Sequence, residues 1–188
     1  MLWGLDAAYP PNDQRVAELA AAGWAFHGGY IGGRALNVWS LDDWVRITGA
    51  GMKPWPIWVS PDGTPSRQQG VDEGNRCLVA MQNLGFAGLV ALDTENGLVQ
   101  LEYWAGFLAA AQAGSAGVVL YGSIESVAAA VEARLFDGYW LAWWPPGRLN
   151  MSGPPPPCDM WQFASGDQDD YNVAWDGFAF PGFNPPGG

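Results

Sequence analysis

Two carboxylates one residue apart, Asp93 and Glu95, close an apolar run in Ala91-Leu92-Asp93-Thr94-Glu95-Asn96. Alternate residues of a strand point the same way, and two residues rise about 6.6 Å. Both acids can therefore face one cleft, near enough for each to shift the other's pKa, and like charges at short range raise one of the two. The pair then offers one protonated acid and one carboxylate at neutral pH, the combination that glycoside hydrolysis requires. Other chemistries lack their residues. His27 is the single histidine, and Cys77 and Cys158 are the two cysteines, too few for a Cys/His zinc site. There is no G-x-S-x-G nucleophile motif and no glycine-rich phosphate loop ending in Lys-Ser/Thr. No metal or other cofactor is called for.

The elements that must position the pair alternate in type. Short apolar strands are expected at Trp3 to Ala7, Trp24 to Ile31, Lys53 to Ser60, Gly88 to Asp93 and Val118 to Tyr121. Each is followed by a segment of helical period. The first helix starts at Asn12 or Asp13 with Val16, Leu19 and Ala20 on one face. The second starts at Ser40, with Asp43 three residues on as a capping-box signal. The later helices end near Leu84, Ala113 and Arg134. The pattern then changes to three strands without a helical period between them, at Tyr139 to Trp143, Met160 to Phe163 and Tyr171 to Ala174. Five β-α units followed by three strands predict an α/β fold, a modified TIM barrel closed as a parallel sheet. No composition break divides residues 1–188, so a single barrel domain is expected.

The working face of such a barrel is the C-terminal end of its strands. Asp6, Asp93, Glu95 and Asp170 all fall there, as do Tyr121, Trp143, Gln162 and Asn172. Trp58, near the end of the third strand, joins them as a candidate sugar platform. An aromatic rim suits a sugar, whose apolar ring face stacks on Trp and Tyr. His27 reads as a satisfied strand residue, the cysteines as free thiols, and the Asp167 to Asp170 cluster as a turn from which Asp170 reaches the cleft. A weak cation site at that cluster is the alternative.

The chain carries 12 Trp, 6 Tyr and 8 Phe in 188 residues, so a packed core is within reach and disorder is not expected. Its net charge of −11 argues against nucleic-acid and anionic-membrane partners. The first residues, Met1-Leu2-Trp3-Gly4-Leu5-Asp6, lack the basic and apolar regions of a signal peptide. Action at the bacterial cell wall would then imply a phage-encoded protein or non-classical export.

Several segments resemble glycoside hydrolase family 25, the lysozymes or N-acetylmuramidases of bacteria and phages. They are Gly4-Leu5-Asp6, Leu92-Asp93-Thr94-Glu95, Leu141-Ala142-Trp143, Met160-Trp161-Gln162-Phe163 and Asp170-Tyr171-Asn172. Tyr30-Ile31-Gly32-Gly33, Leu41 to Val45, Gly51 and Pro56-Ile57-Trp58-Val59 are similar to a related actinobacterial glycoside-hydrolase-like barrel domain of unknown function. The resemblance implies the same barrel and cleavage of the β-1,4 bond between N-acetylmuramic acid and N-acetylglucosamine. It implies Glu95 as proton donor and Asp93 as the neighbouring carboxylate that orients or stabilises the substrate acetamido group. Asp6 and Asp170 would be the acids flanking the cleft. Tyr30, Trp58, Tyr121, Trp143, Gln162 and Asn172 are the expected substrate contacts.

The functional expectation is a peptidoglycan-degrading muramidase, acting on peptidoglycan or a related amino-sugar polymer, as a phage lysin or a virion-associated one. The alternative is a catalytically weak or inactive glycan-binding or structural barrel of a larger assembly such as a phage tail, with phage structural proteins as partners.

Overall fold

The computed structural model describes residues 1–94, 99–143, 158–166 and 169–186. Strand and helix alternate through β1 (Leu2–Asp6), α1 (Asp13–Ala21), β2 (Phe26–Gly33), α2 (Leu41–Gly49), β3 (Lys53–Val59) and α3 (Arg67–Leu84). A two-residue β4 (Phe86–Ala87) precedes β5 (Leu89–Asp93), α4 (Leu101–Ala113), β6 (Gly117–Gly122) and α5 (Ile124–Ala133). Then come β7 (Gly138–Ala142), β8 (Met160–Ser165), β9 (Asp170–Ala174) and a short β10 (Gly182–Phe183). Eight strands close a barrel in the order β1-β2-β3-β5-β6-β7-β8-β9, and β10 pairs with β4 in a separate two-stranded sheet. The expected five units and three strands are there, within a residue or two at most boundaries.

The sequence pattern led to the expectation of a parallel barrel, but the sheet is mixed. β9 runs antiparallel to both of its neighbours, β8 and β1. Residues 166–169 alone join β8 to β9, and a link that short can only turn the chain back, since a parallel return needs a crossover of a dozen residues or more. The reversal matters for the site. The first residue of β9 now lies at the same barrel end as the last residues of the other strands, so Asp170 stands in register with Asp6.

Alternation along the strands divides the side chains into two layers. Phe26, Trp55, Ile57, Ala91, Val119, Tyr121, Trp140, Met160 and Ala174 fill the barrel interior. The intervening residues, among them Leu5, Trp58, Leu92, Leu120, Leu141 and Val173, pack outward. At the N-terminal end of the strands the interior is closed by the segment after β9. The Phe180 ring lies 5.1 Å from that of Phe26, and the Phe178 ring 5.2 Å from that of Trp55. With that end plugged by aromatic rings, the polar end of the barrel is its opposite mouth.

Local signals start the helices. Asn12 accepts the Arg15 amide at 2.9 Å. Ser40 with Asp43 and Ser66 with Gln69 form reciprocal capping boxes, which satisfy amides that the first helical turn leaves without partners. Helices α3 and α4 approach through glycine: a Cβ on Gly70 would strike the Tyr103 carbonyl, and one on Gly106 the Arg67 carbonyl. Neither backbone can yield without parting the pair. Gly106→Ala is therefore expected to destabilise the fold by about 1–3 kcal/mol, the usual range for overpacking. Urea denaturation measures this, and an unchanged midpoint would show that the two helices have slack.

Candidate functional site

The barrel mouth is built from the last inward-facing residue of each strand. On β1 this is Asp6, and the room for it comes from β2: a Cβ on Gly28 would lie 2.8 Å from that of Asp6. Asp6 is 4% exposed, so its carboxyl must find donors inside the protein. Asn172 on β9 donates through Nδ2 to Asp6 Oδ1 at 2.6 Å, and Gln162 on β8 donates through Nε2 to the same oxygen at 3.1 Å. The oxygens of both amides are used in turn. Tyr121 on β6 donates its hydroxyl to Gln162 Oε1 at 2.7 Å, and Trp140 on β7 donates its indole N–H to Asn172 Oδ1 at 2.9 Å. The donors thus run inward from both sides, Tyr121 to Gln162 to Asp6 and Trp140 to Asn172 to Asp6. This polarity fixes which way each amide is turned.

Asp93 ends β5, is buried, and stands in register between Val59 and Tyr121. The end of the strand is held to its neighbours. Ser60 N–H donates to the Asp93 carbonyl at 2.9 Å, and Thr94 N–H to the Tyr121 carbonyl at 2.8 Å. Glu95 lies outside the described residues, as do Trp144 and Asp167. Tyr30 on β2 is half-buried, packs on the interior cluster and stands in register with Ile57. Asp170 is half-buried across from Asp6. Burial pushes its carboxyl above the usual carboxylate range, and the charge of Asp169 pushes the same way. A hydrogen bond from Ser165 only partly opposes them. The structure therefore brings Asp6, Asp93, Asp170, Tyr30, Tyr121, Gln162 and Asn172 to one end of the barrel.

Two expected rim residues make contacts on the outer side of the barrel. Trp58 has the outward parity on β3, between Ile57 and Val59, and packs in the layer between barrel and helices. Its indole N–H donates to Glu73 Oε2 of α3 at 3.0 Å. Trp143, the residue after β7, is 38% exposed, but its ring lies against that of outward-packed Trp161 at 6.1 Å. Its carbonyl accepts the Trp161 indole N–H at 2.9 Å. Trp58 follows the inward-facing Ile57 on β3, so alternation turns it away from the barrel interior.

One group was not foreseen from the sequence. Asp169, also buried, faces away from Asp6. Arg15 of α1 donates to its Oδ2 through Nη2 at 2.6 Å and Nε at 3.2 Å. His27 is fully buried on β2, and its Nε2 stands 3.5 Å from Asp169 Oδ1, a long contact. The sequence separation of 154 residues between Arg15 and Asp169 leaves no local signal for the pair. Beside it, loop 7–12 and the β8–β9 hairpin enclose a cleft of about 530 Å³ that reaches Asp170.

No family model matches the chain, and no curated protein matches it in sequence. Solved structures match over nearly all of it. An uncharacterised B. stearothermophilus protein superposes with a TM-score of 0.71 at 18% identity, over 94% of this chain and 97% of that one. The catalytic domain of the endolysin of bacteriophage P40 of Listeria monocytogenes gives 0.69 at 16% identity, over 94% of each chain. The bacterial lysozyme of Streptomyces coelicolor gives 0.63 at 17% identity, over 92% and 91%. The fold is the modified TIM barrel that these structures share. At these identities the likeness is one of fold.

The Arg15–Asp169 pair makes a pH prediction. Burial alone would raise the Asp169 carboxyl, but its hydrogen bonds and charge interactions with His27 and Arg15 outweigh burial and hold it below the usual range. A carboxyl lowered in the folded state contributes its full stability above its unfolded value, about pH 3.9, and loses it as pH falls through the lower folded one. Arg15→Ala is expected to cost about 1–3 kcal/mol at pH 7. The difference from wild type should shrink as pH falls below about 3.9 and through the lower folded value of Asp169. Urea titrations across that range check this, and a pH-independent difference would contradict it.

Proposed function

We propose that this chain is a lysozyme-like N-acetylmuramidase, one glycoside-hydrolase-like barrel over residues 1–188, that cleaves the β-1,4 bond of peptidoglycan. The observation that carries the reading is the buried polar mouth of a lysozyme-type barrel, where Asp6 is held by two amides and Asp93 ends β5 at the same rim. Solved muramidases and endolysins of the same fold support the substrate class.

In this reading Glu95, two residues past Asp93, donates its proton to the departing glycosidic oxygen. The carboxylate of Asp93 stabilises the positive charge that develops at the anomeric carbon, or orients the acetamido group beside it. Asp6 and Asp170 flank the sugar, where burial and the charge of Asp169 raise the Asp170 carboxyl above its usual range. Tyr30, Tyr121, Gln162 and Asn172 supply the remaining sugar contacts. A phage lysin, free or carried by the virion, is the setting proposed, and in the latter case phage structural proteins are its neighbours.

The test is digestion of purified peptidoglycan by wild type, Glu95→Gln and Asp93→Asn, with products read by mass. Wild type should release fragments ending in reducing muramic acid. Glu95→Gln should lose about 10²–10⁴-fold in rate, the usual contribution of a positioned general acid. Equal rates for wild type and Glu95→Gln would overturn the role of Glu95. Saccharide binding with no product from wild type would overturn the enzyme and leave a glycan-binding barrel.

A further inference from the structure

The cleft between loop 7–12 and the β8–β9 hairpin shares Asp170 with the barrel mouth, and the rest of its lining is built like a binding site. We propose that it is an additional subsite for one pyranose ring of the glycan strand, with Tyr9 as the platform on which that ring stacks. The proposal rests on the glycan-cleaving reading above and extends it to a ring beyond the bond that is cut.

Size and place come first. The cleft holds about 530 Å³, within the roughly 300–1,000 Å³ of small-molecule sites. Asp170 lines it and also faces Asp6 across the barrel mouth, so a strand leaving the mouth on this side enters the cleft directly.

Its walls are held in place before any ligand arrives. Pro10 and Pro11 fix their own φ angles. The Pro11 carbonyl accepts Arg46 Nη1 at 2.9 Å, and Asn12 caps α1. On the other wall Gly166 N–H donates to the Asp169 carbonyl at 2.9 Å. A Cβ on Gly166 would lie 3.0 Å from that oxygen and from the Tyr171 ring. The Arg15–Asp169 pair spans the base of the cleft and joins one wall to the other. A site that is already ordered loses little entropy when it binds.

The chemistry of the lining selects a neutral, hydroxyl-rich ligand. The Arg15 guanidinium is balanced by Asp169, with Glu18 3.5 Å from its Nη1, so the base presents polar edges without net positive charge. Ser165 and Asp170, hydrogen-bonded to each other, offer a hydroxyl and a carboxyl to ring hydroxyls.

Tyr9 supplies the apolar face. At 70% exposure it is the one tyrosine of the chain's six that stands open to solvent. The hydroxyls of Tyr103, Tyr121 and Tyr139 are bonded within the fold, and Tyr30 and Tyr171 are half-buried. A rigid ring on a proline-stiffened loop, beside hydroxyl partners, matches the two faces of a pyranose.

Calorimetric titration with peptidoglycan disaccharide and hexasaccharide tests this in the full chain carrying Glu95→Gln, with and without Tyr9→Ala or Tyr9→Phe. Removing the ring should weaken hexasaccharide binding about five- to tenfold and leave disaccharide binding unchanged, while Tyr9→Phe keeps the wild-type affinity. Tyr9 is exposed, so thermal melts of the variants should coincide. Hexasaccharide binding unaffected by Tyr9→Ala overturns the subsite, and the muramidase reading then stands on cleavage by wild type. Failure of both saccharides to bind overturns the subsite, and cleavage of peptidoglycan by wild type decides the muramidase reading separately.

Discussion

Asp6 is an acid at a position where the barrel excludes water, and a buried carboxyl is tolerated only where donors surround it. Two donors come from β8 and β9, the strands that complete the barrel next to β1, and the polar residues of β6 and β7 supply theirs in turn. Four inward positions are thereby set by the need of one side chain. A further strand answers the same need by absence, since Gly28 leaves the volume that Asp6 occupies. The order of the mouth follows from this arrangement: Tyr121, Gln162 and Asn172 are buried beneath it and are held by partners inside the protein.

The reversed last strand makes such an arrangement compatible with a short chain. A hairpin in place of a crossover brings Asp170 to the mouth and sets Asp169 beside it. Neighbours on a strand face opposite ways, so these two acids go to different environments. Asp169 meets Arg15 and His27 on the outer side and is held low, whereas Asp170 turns to the mouth and is raised. The same hairpin is tied to α1 through Arg15, so the loop after β1 and the turn before β9 are fixed relative to each other. The aromatic plug of Phe178 and Phe180 does the complementary job at the other end of the barrel.

Much of this was legible because strands carry a simple code. The apolar runs ending in Asp6, Asp93 and Tyr121 mark strand ends, and the helical periods between them mark parallel units. Gln162 and Asn172 interrupt runs that are otherwise apolar, which is how they signal a special place. The code fails where both faces are apolar. Lys53-Pro54-Trp55-Pro56-Ile57-Trp58-Val59 gives no contrast between inside and outside, so the outward turn of Trp58 onto Glu73 depends on tertiary packing. The direction of β9 was set by the length of a turn, a weaker sign than strand count. The Arg15–Asp169 pair and the two-residue β4 and β10 carry no periodic signal at all.

Whether the mouth is organised around the Asp6 carboxyl is read by a double-mutant cycle of Asp6→Asn and Asn172→Ala in urea denaturation. A coupling energy of about 1.5–3 kcal/mol at neutral pH is expected, as for a hydrogen bond to a charged group. Effects that add to within about 0.5 kcal/mol would contradict it, because independent sites add to that precision.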